Sequence, residues 1–245
     1  MLPHLGLIVP PSDGAVPPEG AALYTGRAHF SARGLGLSEI SNRGYNAVID
    51  RVAALARELA DAGALALSLM GTSLSFYRGG QANEALKQTM AQASGLPCTT
   101  MSDAVVHGLR SMNAQRVAVA TAYIDEVNQQ LKAFLSESGF TPTAVRGLSI
   151  TDVQAVGEVP PSVLADLCRE VYRAQPGADA ILISCGGLRT LAATRLVEAE
   201  LGVPVVSSSP AGFWDLMRTA GLPAHSAGHG RLFDEPAEAS SQARR

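Results

Sequence analysis

The segments Ala64-Leu65-Ala66-Leu67-Ser68-Leu69-Met70-Gly71-Thr72-Ser73 and Ala180-Ile181-Leu182-Ile183-Ser184-Cys185-Gly186-Gly187 decide the fold. Each is a short aliphatic run that ends in a small-residue turn. A helical stretch follows each run. The same punctuation then returns: Gly95-Leu96-Pro97-Cys98-Thr99-Thr100 after the first, Gly202-Val203-Pro204-Val205-Val206-Ser207-Ser208 after the second. Strand, turn, helix, Gly-x-Pro and hydroxyl-bearing strand end recur in one order, which is an internal repeat. The repeat predicts two pseudo-symmetric lobes with Gly71 and Cys185 at equivalent positions.

Outward from these segments, other aliphatic runs alternate with helical patterns, as βα units on a parallel sheet do. Strands are expected over 5–9, 64–70, 116–121, 180–184 and 204–207, with weaker ones at 97–99 and 145–150. A helix is expected over 45–59, where Val48, Ile49, Val52, Ala53, Leu55 and Leu59 repeat with a period near 3.6. Residues 124–135 and 163–172 read the same way, and Ser102 is a plausible cap for the helix that follows it. The expected fold class is α/β: two pseudo-symmetric lobes, each a parallel four-stranded-type sheet flanked by helices, with the active site in the cleft between them. Residues 1–110 would form one lobe and 111–208 the other. A helix at about 209–221 would pack back on the first lobe, and 234–245 would be a disordered tail.

Bulk composition narrows the function. The chain has 245 residues, 47% hydrophobic and 17% charged, a profile that suits buried parallel strands. Its net charge of -3 and scattered basic residues argue against nucleic acid as a partner. No apolar run approaches the roughly 18 residues of a membrane helix. An N-terminal secretion signal is not evident, and three cysteines without framework spacing suit a reducing cytoplasm. The five histidines show no metal spacing, so no metal site is expected. Lys87 and Lys132, the only two lysines, fall within helical patterns and offer no Schiff base at a strand end. Gly34-Leu35-Gly36-Leu37 lacks a preceding strand and a third glycine, so no dinucleotide role is assigned to it.

Ligands of open α/β sheets bind outside the carboxyl ends of the strands. The residues expected there are Pro10-Pro11-Ser12, Gly71-Thr72-Ser73-Leu74-Ser75, Thr121-Ala122-Tyr123, Cys185-Gly186-Gly187 and Ser207-Ser208-Ser209. Hydroxyls, glycine-exposed amides and one thiol converge, whereas carboxylates, histidines and lysines are missing from this set. Turns that run into helix starts offer free N–H donors, so the implied ligand is a small carboxylate or similar anion. The Met70–Ser73 segment alone would equally suit a tight turn with a capping hydroxyl. A cysteine is more often a small buried hydrophobe, which is the reading for Cys98 and Cys168. Cys185, at a strand end before two glycines, is expected instead to be accessible, with its pKa drawn down by a helix terminus.

Four segments then carry a resemblance: Leu69–Gly79, Ala120–Asp125, Ser184–Leu188 and Val205–Asp215. Over about residues 5–234 the chain resembles the arylmalonate decarboxylases, a family of the aspartate/glutamate racemase superfamily. The resemblance implies two α/β lobes with the site between them. Racemases of the group set one cysteine per lobe against opposite faces of the substrate carbon; this chain has Gly71 at the first position and Cys185 at the second. It therefore implies cofactor-independent, enantioselective decarboxylation of α-disubstituted aryl malonates to chiral monocarboxylic acids. Cys185 would be the acid that protonates an enediolate. The hydroxyls of Thr72, Ser73 and Tyr123, with amides of the Gly71–Ser73 and Cys185-Gly186-Gly187 turns, would hold the retained carboxylate. Leu37, Ile40, Tyr45, Leu74, Val153 and Val156 would form an apolar pocket for the departing one. Pro10, Pro11 and Gly187 would flank the aryl group.

Arg189 stands where the family is expected to carry an apolar residue; it is expected to face solvent, since in the pocket it would favour thiolate. The partner implied is a small dicarboxylate, with no cofactor, in a monomer or small homo-oligomer. The alternatives are a racemase or maleate-type cis-trans isomerase of the same superfamily, or a non-catalytic carboxylate-binding protein.

Overall fold

Two parallel sheets of four strands share one strand order in the computed structural model, which describes residues 1–234. The first half of the chain runs β1 (His4–Val9), α1 (Pro18–Tyr24), β2 (His29–Gly34), α2 (Asn42–Val48), α3 (Val52–Asp61), β3 (Leu67–Leu69), α4 (Thr72–Phe76), α5 (Gly79–Ser94), β4 (Cys98–Thr100) and α6 (Met101–Ser111). The second runs β5 (Arg116–Thr121), α7 (Asp125–Glu137), β6 (Thr141–Gly147), α8 (Pro161–Ala174), β7 (Ala180–Ser184), α9 (Leu191–Leu201), β8 (Val205–Ser207), α10 (Ser208–Thr219) and α11 (Arg231–Asp234). The sheets are ordered β2-β1-β3-β4 and β6-β5-β7-β8. Gly71 thus follows β3 and Cys185 follows β7, the equivalent inner strands.

The repeat has a physical cause at its punctuation. Gly95 ends α5 and Gly202 ends α9 with the same left-handed backbone, φ +71° in both. Their amides close the last turns on Ala91 and Glu198. Glycine reaches this region without the Cβ clash, and the proline two residues on cannot continue a helix. The chain is therefore turned straight into β4 and β8.

The inner strands β3 and β7 are buried along their whole length, as central parallel strands must be. One continuous hydrophobic core spans both halves. Phe76 at the end of α4 meets Tyr123 edge to face, with ring centroids 5.9 Å apart, and stacks on Phe134 at 6.0 Å. α10 packs against α6, β4 and α1. A lone antiparallel bridge joins Glu39 to Asp152, and the Ile40 amide donates to the Thr151 carbonyl at 2.9 Å.

Several sequence expectations are corrected. The strand said to be missing before Gly34-Leu35-Gly36 exists: β2 pairs with β1 along its length, although the third glycine is still absent. As an edge strand it is only partly buried and of mixed composition, so it lacks an aliphatic signature. The single helix expected over 45–59 is broken by a 3-10 turn at Ile49–Arg51, and Ser41 caps its first piece. The apolar period runs through the break, which hides it. β3 is confined to Leu67–Leu69, shorter than the run suggested. Ser102 is not a cap: Thr100 accepts the Asp103 amide at 3.1 Å, and Ser102 lies buried inside α6. Of the expected disordered tail, Asp234 closes α11 and the remainder lies outside the described residues.

Candidate active site

The carboxyl ends of the inner strands meet in a cleft of about 750 Å³, within the size range of small-molecule sites. Both turns singled out by the repeat line it. Of the site residues expected from sequence, Pro10, Pro11, Leu37, Ile40, Gly71, Thr72, Ser73, Leu74, Val153, Val156, Cys185, Gly186 and Gly187 all line the cleft.

Tyr45 and Tyr123 do not. Both are fully buried behind the wall. The Tyr45 ring packs edge to face on Tyr77 at 5.1 Å, which takes it out of the apolar surface assigned to it. Its hydroxyl stands beside Ser73 instead. The Tyr123 hydroxyl lies 3.3 Å from the Ser184 hydroxyl and beside both Thr72 and Cys185. It reaches the site from behind. Burial, followed by the nearby Cys185 and Tyr45, pushes the Tyr123 phenol well above its ordinary pKa, so it remains a donor.

The Gly71 turn is held by a buried hydroxyl pair. The Ser75 hydroxyl lies 2.9 Å from the carbonyls of both Gly71 and Thr72 and 2.7 Å from Ser102, which itself donates to the Thr72 carbonyl at 3.0 Å. The Gly71 carbonyl also accepts the Ser75 amide at 3.1 Å, while the first amides of α4, like those of any helix start, have no intrahelical acceptor. The Thr72 hydroxyl is buried yet makes no well-formed hydrogen bond among the described residues; the same holds for the hydroxyls of Tyr45, Ser208 and Ser209. Of these, Thr72 and Ser209 line the cleft; buried polar groups are rarely left so, and hydroxyls in a cleft wall are ready anion donors.

The Tyr123 turn is fixed by Asn128, which receives the Thr121 hydroxyl at 2.7 Å, while Thr121 accepts the Tyr123 amide at 3.0 Å. Gly186 is dictated by crowding between the two turns: a Cβ there would stand 2.9 Å from the Met101 sulfur and 3.0 Å from the Met70 carbonyl oxygen.

Cys185 departs from expectation in its environment. It is only 6% exposed, and burial pushes its thiol up to about 11. The Gly187 amide, the Tyr123 hydroxyl and the Leu188 amide pull the other way and are outweighed. Desolvation of the thiolate exceeds what a few local donors return. The group is a thiol at neutral pH, as the acid role requires; burial outweighs the downward pull that the sequence assigned to the helix terminus.

The supposed lack of carboxylates is also corrected. Asp13, Asp152 and Glu158 lie exposed on the cleft rim, and Glu19 is buried in its wall. Arg189 is exposed at the same rim. Among the described residues no group of three or more His, Cys, Asp or Glu gathers as a metal site, and no helix is long and apolar enough to cross a membrane.

Comparison with known proteins places this geometry. The family described as arylmalonate decarboxylase matches residues 5–233. The arylmalonate decarboxylase of Bordetella bronchiseptica is 56% identical over 234 residues, spanning 95% of this chain and 97% of that protein. A crystal structure of a liganded arylmalonate decarboxylase double mutant, one glycine changed to cysteine and one cysteine to serine, superposes with a TM-score of 0.93 at 55% identity, covering 95% of this chain and 99% of that one. The maleate isomerase of Nocardia farcinica is 29% identical over 94% of both chains.

Proposed function

The chain belongs to the arylmalonate decarboxylase family, and from that premise we propose that it removes CO₂ from an α-disubstituted aryl malonate without a cofactor and protonates one face of the product carbanion from Cys185. The observation that carries the reading is the meeting at one cleft of the Cys185 thiol, which burial keeps protonated, with the buried Thr72 hydroxyl, which has no well-formed partner among the described residues.

One carboxylate of the malonate sits among the Thr72, Ser73 and Tyr123 hydroxyls and the amides of the two turns. The other faces Leu37, Ile40, Leu74, Val153 and Val156. Breaking its bond to the α-carbon leaves neutral CO₂ and pushes the electron pair into the retained carboxylate, giving an enediolate with charge on both oxygens. Donors already aimed at those oxygens need no reorganisation, and one is worth about 3–4 kcal/mol. The departing carboxylate is poorly solvated by aliphatic walls that suit CO₂, which favours the same step. The Cys185 S–H then gives its proton to the α-carbon. The products are a monocarboxylate and a thiolate, and water returns the proton to sulfur. Pro10, Pro11 and Gly187 flank the aryl substituent and choose the face presented to the thiol.

The test is Cys185→Ala. A general acid contributes about 10²–10⁴-fold, so CO₂ release should fall by that factor while a phenylmalonate-type acid still binds. Undiminished turnover in the variant would remove the proposed acid. Turnover of maleate by the wild type, with no CO₂ from phenylmalonates, would move the chain to the isomerase alternative. A carboxylate-binding protein would bind both and convert neither.

A further inference from the structure

We propose that Glu19 is a positioning residue for the Cys185–Gly187 turn: its carboxylate reaches from α1 to the start of α9 and fixes where the thiol and its neighbouring amides stand. The inference rests on the decarboxylase reading for its kinetic test but not for its chemical one.

Thr190 is the N-cap of α9, yet its side chain does not cap the helix. The cap comes from 171 residues away. One Glu19 oxygen, Oε1, accepts the Thr190 amide at 2.6 Å, the Thr190 hydroxyl at 3.1 Å and the Leu191 amide at 3.2 Å. The Thr190 hydroxyl also lies 2.9 Å from Ser207 at the end of β8. Free amides and the positive end of the helix dipole make this a strong place for a carboxylate. Glu19 is only 6% exposed and lines the cleft beside Ser209.

Between Cys185 and this anchor the chain is weakly self-supported: the Leu188 amide meets the Cys185 carbonyl at 3.3 Å. The turn therefore takes its position from packing beside Met70, Met101 and Val156 and from its two anchored ends, β7 on one side and Glu19 on the other. Burial pushes the Glu19 carboxyl up while Ser209, Thr190 and Leu191 pull it down. Oε1 can accept in either protonation state, so the acceptor and not the charge is what the turn requires.

The experiment compares Glu19→Ala with Glu19→Gln. A misplacement of about 1 Å can cost about 10²-fold. Glu19→Ala should lose about 10–100-fold in kcat with KM nearly unchanged. Its product should lose enantiomeric purity, because water then competes with the displaced thiol for the intermediate. Glu19→Gln, which keeps the accepting oxygen, should restore most of both. Alkylation of Cys185 by iodoacetamide, followed peptide by peptide, should be faster in Glu19→Ala than in wild type or Glu19→Gln.

A folded Glu19→Ala with wild-type kcat, product purity and alkylation rate overturns the proposal. If that variant does not fold, Glu19→Asp, one methylene too short, should show the same losses, and wild-type behaviour there overturns it equally. Absence of CO₂ release from wild type, with alkylation still separating Ala from Gln, would fail the decarboxylase reading and leave the role of Glu19 standing.

Discussion

Gly71 and Cys185 follow the equivalent inner strands of two sheets with the same order, and both line the cleft. One strand end delivers a thiol, the other a bare α-carbon. Gly71 has φ -138°, ordinary extended backbone, and an added Cβ would meet Leu74 Cβ and Pro10 Cγ at 3.2 Å. A side chain there needs only a few tenths of an ångström of give.

Gly71→Cys is therefore expected to fold and to place a second sulfur at the cleft. With a base for the other face, the variant should exchange the α-proton of product acids in heavy water and erode their optical purity. Proton NMR of a resolved product acid reads this directly; exchange no faster than in wild type would show that the two strand ends are not functionally equivalent.

The pH profile follows from the sign of the thiol shift. Cys185 acts as an acid, so activity requires the protonated form, which dominates below about 11. kcat/KM reports the free enzyme's groups. It should show no loss attributable to this cysteine near its ordinary pKa, and an alkaline limb only as pH approaches 11. A limb centred near 8.5 would mean that the sulfur is solvated.

Thr72→Val separates function from stability. The Thr72 hydroxyl is buried without a well-formed partner among the described residues, so an isosteric methyl removes an unpaid desolvation. The melting temperature should hold or rise. Loss of one oxyanion donor should lower kcat by about 10²–10³-fold. Tyr123→Phe should slow the same step, with stability reporting the lost contact to Ser184.

Val156→Thr tests the apolar wall without changing its volume. A hydroxyl facing the departing carboxylate would solvate the ground state more than CO₂, so kcat should fall by about tenfold, or roughly 1.4 kcal/mol. Unchanged kcat with raised KM would place Val156 against the larger substituent, which Gly187 is expected to flank; a Cβ added at Gly187 would stand 3.0 Å from Val156 Cγ1.

Local signals carried the two-sheet α/β class, the equivalence of β3 and β7, and most of the cleft. Aliphatic runs marked the buried inner strands, and Gly-x-Pro marked paired helix ends whose backbone only glycine takes easily. What was illegible depends on distant neighbours. Edge strand β2 is half-buried and hydrogen-bonded on one side, so His29–Gly34 carries no apolar run. Helix α1, which carries Pro18 at its start, is not among the expected helices, and that its Glu19 serves a different helix is written nowhere near it. The Cys185 environment was misjudged for the same reason. A strand end before two glycines looks open, but the thiol is buried beside Tyr123, and Met70 and Met101, from separate segments, crowd the Gly186 that follows it.

That enclosure has a chemical consequence beyond turnover. Thiolate is the form that reacts with peroxide, disulfides and electrophiles, and a sulfur kept protonated by burial in the cleft wall offers little of it. The burial that makes Cys185 a proton donor also makes it slow to rust, so the protein should keep its working sulfur through long exposure to air without added reductant.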